Sequence, residues 1–263
     1  MRRGAILAVL CFLFAATAAF SAELKTHTNS IGMEFVLIPA GSYLLEEYVE
    51  NEFGEKVHKP KILVSTPFYL GKYQVTQEHW VAVMGGNPAR FKGRNNPVEN
   101  ISWDDAQQFI RRLNAREHHE RYRLPTEMEW GLAASGGTGT QFFCTQYPRT
   151  WEDVANSLDA YAWFQKNSGG ATHPVGQKKP NQYGLYDIFG NVWEWVQDWH
   201  GALPTEREIT DYRGPASGLG RVLRGGSWDY DTRNYQWTNR IRAKPSYRGS
   251  YVGFRLALSL EKP

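Results

Sequence analysis

Gly184-Leu-Tyr-Asp-Ile-Phe-Gly-Asn-Val-Trp-Glu-Trp195 sets two carboxylates, a Gly-Asn step and four aromatic rings in one short run. The run suits neither a helix nor a simple alternating strand. Asp187 and Glu194 carry hard oxygens on either side of a tight turn at Gly190-Asn191, and the carbonyls freed by such a turn can help to complete a shell for Ca²⁺. The same residues also make a polar turn capped by its own Asn and Asp side chains. In both cases Tyr186, Phe189, Trp193 and Trp195 would bury the segment.

The flanking chain has the material to bury it. Among 263 residues, 41% are hydrophobic and 14% aromatic, enough for a packed core, while 25 glycines and 10 tryptophans point to turns and aromatic-filled irregular structure. A formal charge of +3 with no basic run gives no electrostatic case for nucleic acid. Arg2-Arg3, the apolar run Ala5 to Phe20 and the small residues around Ser21 read as a secretory signal over residues 1–21, too short and wrongly flanked for a spanning helix. Cleavage would leave a protein in the periplasm or secreted, with no later membrane span and 28 basic against 27 acidic residues. Cys144 would then be its only thiol, so the core rather than a disulfide must hold the fold.

Along the mature chain, Ile31 to Tyr43 reads as strand, Pro-Ala-Gly turn and strand; Glu46 to Pro60 as a solvated charged loop; Ile62 to Val64 and Phe68 to Tyr73 as strands. Thr76 caps a helix that stops at Gly85-Gly86. Ser102 caps a longer one with Ala106, Phe109, Ile110 and Leu113 on its inner face, and Thr126 with Glu129 forms a capping box for a third. From Thr138 to about residue 220 periodicity fades, and strands are expected only near Val192 to Gln197 and at Val222 to Arg224. No repeat or linker divides the chain.

The final third is dense in side chains suited to recognition. After the sharp Arg224-Gly-Gly-Ser-Trp228 turn come Asp229, Tyr230, Asp231, Tyr235, Trp237, Tyr247 and Tyr251, mixed with Asn, Ser and Thr. Tyrosine and tryptophan give rigid contact area with a polar tip, as in antibody paratopes. The same mixture also makes an irregular surface held by arginine-aromatic stacking.

Six ordered stretches carry a family resemblance: NPVENISWDDAQQFIRRLN (Asn96 to Asn114), YRLPTEMEW (Tyr122 to Trp130), THPVGQKKPN (Thr172 to Asn181), GLYDIFGNVWEW, RVLRGGSW (Arg221 to Trp228) and VGFRLA (Val252 to Ala257). Together they resemble the formylglycine-generating enzymes, or sulfatase-modifying factors, over residues 29–258. The resemblance implies a single-domain α+β fold with much irregular structure, related to C-type lectins. Enzymes of that family oxidise a sulfatase cysteine to formylglycine with a Cu(I)-binding pair of cysteines placed after the Gly-Gly-Ser turn. The matching positions here are Tyr230 and Tyr235. Phenols are poor ligands for so soft an ion, so neither copper nor catalysis by that route is expected.

Other positions match the family. Ser227 and Trp193 match an active-site serine and tryptophan, and Asp187, Gly190, Val192 and Glu194 match a calcium site in which the glycine and valine give carbonyls. The family's second calcium site has no counterpart in Ala160 to Ala171. The last segment resembles that of variable proteins of diversity-generating retroelements, which implies a non-catalytic scaffold binding a protein, peptide or glycan through Trp193, Ser227, Asp229, Tyr230, Asp231, Tyr235, Trp237, Tyr247 and Tyr251. Three alternatives stay open. One is a periplasmic oxidoreductase of the siderophore-maturation type, with Asp231 or Glu194 as base. The others are a formylglycine-generating oxidase and a partner domain of an envelope complex.

Overall fold

Side-chain caps fix where the helices begin. The computed structural model describes residues 25–45, 47–51, 54–58, 60–138, 156–204, 206–231 and 240–260. The leader 1–21, Cys144, Tyr235 and Trp237 lie outside these. Helix α1 (Gln77–Met84) follows Thr76, whose side chain accepts from the His79 amide, and it ends at Gly85, whose φ of 88° favours glycine. In α2 (Trp103–Arg116) Ser102 and Asp105 satisfy each other's backbone amides, and in α3 (Glu127–Ala134) Thr126 and Glu129 do the same. Met128, Trp130, Leu132 and Ala133 are all buried, so α3 runs through the interior rather than along its surface.

Short strands assemble around these helices. A five-stranded antiparallel sheet takes the order β1 (Thr26–Thr28), β2 (Glu34–Ile38), β7 (Phe68–Gly71), β14 (Ala257–Ser259), β8 (Tyr122–Arg123). The end of the described chain is thus clamped between two earlier strands. A second sheet joins β3 (Gly41–Leu44), β6 (Lys61–Val64) and β10 (Glu208–Thr210). The third carries the site: β12 (Ile241–Ala243), β11 (Arg221–Arg224), β9 (Trp193–Trp199) and β13 (Val252–Phe254), with β13 parallel to β9.

Two departures from expectation have a physical basis. The charged stretch from Glu46 to Pro60 contains a hairpin, β4 (Glu47–Asn51) and β5 (Gly54–His58), instead of a plain loop. Backbone pairing in a two-stranded ribbon does not require an apolar face, so charge alone is a poor argument for a loop. Strand β10 was not expected either, because three residues beside β6 are too few to show alternation.

Strand β9 lies between two buried clusters. Val196 and Val222 join Ile38, Phe68, Trp130 and Phe189 on one side, while Trp195 and Leu223 join Phe35, Trp80, Phe109 and Phe254 on the other. Trp80 stacks on Phe109 with centroids 5.5 Å apart, and Phe254 meets both edge-on. Such contacts add about 0.5–1.5 kcal/mol each beyond area burial. Glu194, one of two acidic residues on β9, is therefore enclosed completely.

Candidate functional site

Glu194 is the centre of a buried polar knot. Arg255, on the link between β13 and β14, donates from Nε to Oε2 and from Nη2 to Oε1, both at 2.7 Å, and neither side chain is meaningfully exposed. Trp130 Nε1 donates to Oε2 at 2.8 Å. The guanidinium also donates to the carbonyls of Gly71, Tyr186 and Asp187. Removing one partner of such a pair would strand a buried charge, at about 3–5 kcal/mol. Glu194 is thereby closed to a substrate proton, which removes it as a base.

Beside the knot, backbone geometry gathers more oxygens. Asp187, Gly190 and Asn191 all have positive φ, and a Cβ on Gly190 would lie 2.3 Å from the Trp163 carbonyl oxygen. Only glycine fits there. This turn aims the carbonyls of Asp187, Gly190 and Val192, together with Glu194 Oε1, at the Gln74 amide nitrogen, which is 3.0–3.2 Å from each. An amide has two N–H bonds for these four acceptors, and its own Oε1 is buried without a partner. Amide nitrogen and oxygen exchange places by a half-turn. Turned so, Gln74 would complete a five-oxygen set of the hard, partly anionic kind that suits Ca²⁺.

The four positions singled out from the sequence therefore converge, although Asp187 contributes its carbonyl to the focus and not its carboxylate. That carboxylate accepts from the Gly176 amide at 2.7 Å, and its other oxygen has no hydrogen-bond partner. Burial pushes it up to about 6, against the opposing pull of that amide and of Arg255. Gln74 carried no signal in the sequence, because it lies 120 positions from Glu194.

On the other side of β9 a cavity of about 510 Å³ opens between β12 and the 246–251 turn. Trp193 and Leu223 are its most buried lining residues, and Ile241, Ala243, Tyr247 and Tyr251 line it further. Tyr230 meets Trp193 edge-on with centroids 5.1 Å apart. The Tyr247 and Tyr251 hydroxyls are hydrogen-bonded to each other, and the Tyr251 phenol is pushed up to about 12 by burial and by Tyr247. Arg242 and Lys244, also lining residues, are exposed and make no ion pair among the described residues.

The predicted recognition residues divide into groups. Trp193, Tyr230, Tyr247 and Tyr251 come together at or against the cavity. Ser227 is fully buried and donates to Asp229 at 2.6 Å, so its hydroxyl holds the turn. Asp229 is exposed and Asp231 half-buried, and neither lines the cavity. Leu223, Ile241, Arg242, Ala243 and Lys244 were missed, since nothing in a three-residue strand marks it as a wall.

A second charged cluster anchors that wall. Glu127, at the start of α3, accepts from Arg240 Nε at 2.6 Å and Nη2 at 2.8 Å, and Arg224 approaches to 3.4 Å. Arg240 immediately precedes β12, so this clamp fixes where the strand begins. Asp198 accepts the Glu127 amide proton at 2.8 Å, and burial, with Glu127 nearby, pushes its carboxyl up to about 7.

Comparison with known proteins agrees with this architecture. Residues 21–260 match the model of the sulfatase-modifying factor enzyme 1-like domain. The chain is 29% identical to the chaperone protein LppX of Paenibacillus barcinonensis, covering 84% of this chain and 87% of that one. It is 30% identical to the formylglycine-generating enzyme of Mus musculus, covering 90% of this chain and 63% of the mouse enzyme's length. Treponema denticola variable protein 1 superposes with a TM-score of 0.73 at 34% identity, over 90% of this chain and 99% of that one. The capped helices, the Gly190 turn and the match over nearly all its length give one conclusion: this chain belongs to the sulfatase-modifying factor enzyme 1-like family.

Proposed function

We propose that this protein is an exported, non-catalytic ligand-binding scaffold of its family, stiffened by calcium. The observation that carries the reading is the cavity beside Trp193, whose described lining residues include no cysteine, histidine or carboxylate. A cavity of 300–1,000 Å³ with an apolar lining and few polar groups is the usual form of a ligand site. At the two positions matched to the copper cysteines the chain has Tyr230 and Tyr235, and Tyr230 packs its ring on Trp193. The likeness to Treponema denticola variable protein 1 supports the same reading. The ligand is a protein, peptide or glycan, and the site of action is the periplasm or the exterior, reached through the 1–21 leader.

In the calcium part of this reading, Gln74, Asp187, Gly190, Val192 and Glu194 would hold the ion, which supplies charge to bind the turn together and takes no part in a reaction. Calcium should raise the unfolding temperature, a chelator should reverse this, and Gln74→Met should abolish the response. Binding is tested by screening peptide and glycan panels against the wild type and Tyr251→Ala. A ligand lost on that substitution supports the scaffold. Tight uptake of one Cu(I) with conversion of a sulfatase peptide thiol to an aldehyde would overturn it.

A further inference from the structure

The cavity has a chemical character that narrows its ligand. Its interior is aromatic and aliphatic, from Trp193, Leu223 and Ile241, whereas Arg242 and Lys244 add two exposed positive charges to its lining. The nearby Arg248 is paired with Asp105, but Arg242 and Lys244 have no such partner among the described residues. Among the described residues no carboxylate or amide side chain lines the cavity; its neutral polar groups are the Ser246 hydroxyl and the Tyr247 and Tyr251 hydroxyls, which bond to each other. A hydroxyl-rich guest would find few acceptors there to replace its bonds to water. An aromatic ring would gain offset or edge contacts with Trp193 and the tyrosines, and an attached anion would meet the two cations.

We propose that the cavity takes an aromatic group bearing a carboxylate within a few bonds of the ring, either as a free aryl-alkyl acid or as an aromatic side chain followed by acidic residues in a peptide. This rests on the ligand-binding reading above and specifies its ligand class. The ring enters against Trp193, and the carboxylate stays at the rim beside Arg242 and Lys244. Because both cations are solvent-exposed, their attraction is screened by salt, and the charge preference weakens as ionic strength rises.

The test is a titration of the whole mature protein at low and high salt with four probes. They are N-acetyl-tryptophan, acetyl-Trp-Asp-Glu-amide, acetyl-Trp-Lys-Lys-amide and acetyl-Ser-Asp-Glu-amide, with the Arg242→Glu/Lys244→Glu variant in parallel. Both substituted side chains are exposed, and circular dichroism confirms that the variant folds. We expect one or both acidic aromatic probes to bind at least tenfold more tightly than the basic and the non-aromatic ones. That preference should invert between the two tryptophan peptides in the variant. Binding of N-acetyl-tryptophan alone assigns a free acid, and binding of the acidic peptide alone assigns a peptide. Equal binding of acidic and basic aromatic probes, or a preference untouched by the charge reversal, overturns the inference. If glycans bind in a Tyr251-dependent way instead, this inference falls while the scaffold reading stands. If neither these probes nor the wider panels bind, both fall.

Discussion

Glu194 and the cavity beside Trp193 are neighbours on one strand, yet the protein treats charge in opposite ways at the two places. Around Glu194 every strong donor has an acceptor and the charge of Arg255 is cancelled within the fold. At the cavity, Arg242 and Lys244 have no ion-pair partner among the described residues, and none of the described lining residues is an acid. A charge matched inside a protein holds its shape, whereas unmatched charge beside an apolar hollow is left for something outside. The difference marks the knot as architecture and supports the recognition role proposed for the cavity, even though residues from both sit in the same sequence motif.

The comparison can be broken most forcefully at the knot. Arg255→Leu should destabilise the protein by about 3–5 kcal/mol, because Glu194 is left charged and enclosed; urea unfolding reads this directly. A loss below ~1 kcal/mol would mean that the knot is not structural. Gly190→Ala comes next. The left-handed backbone alone costs roughly 1–2 kcal/mol, and the added Cβ meets the Trp163 carbonyl as well, so the midpoint should fall by at least that amount.

A third measurement uses pH. The Asp198 and Asp187 carboxyls are pushed up to about 7 and about 6 in the folded protein, mainly by burial. From about pH 4 to 7 the unfolded chain has released these protons while the folded chain keeps them. The unfolded state thus binds fewer protons, and these two groups make stability fall as pH rises through that window. Asp198→Asn should flatten the slope, and an unchanged slope in thermal unfolding from pH 4 to 7 would reject the assignment. Thr126→Ala, which removes one capping box, should cost about 1 kcal/mol by the same urea assay. The smallest effect sharpens the contrast: Arg242→Glu should leave stability within ~0.5 kcal/mol, since its side chain is exposed and makes no ion pair among the described residues.

The readable part of this protein is local. Thr76, Ser102 and Thr126 announce their helices because a cap bonds to an amide three residues on. The Gly190-Asn191 turn and strand β9 are legible for the same reason, since Gly190 and Asn191 adopt the left-handed conformation that glycine and asparagine tolerate. The hairpin at Glu47–His58 and strand β10 were not legible, as their pairing shows in neither polarity nor period. At the site, Tyr230, Tyr247 and Tyr251 stood out by type, while Ile241 and Ala243 did not, being ordinary residues in a short strand.

The sequence by itself determined the helix starts, the left-handed turn before Trp193 and the aromatic supply of the last third. Only the tertiary structure decided that Gln74 faces the Asp187–Glu194 oxygens, that Arg255 neutralises Glu194, and that Arg242 and Lys244 line a hollow floored by Trp193. The reason is range. Caps and turns are satisfied within a few residues, whereas Arg255 and Gln74 lie 61 and 120 positions from Glu194, and chain folding alone brings them within hydrogen-bonding distance of it.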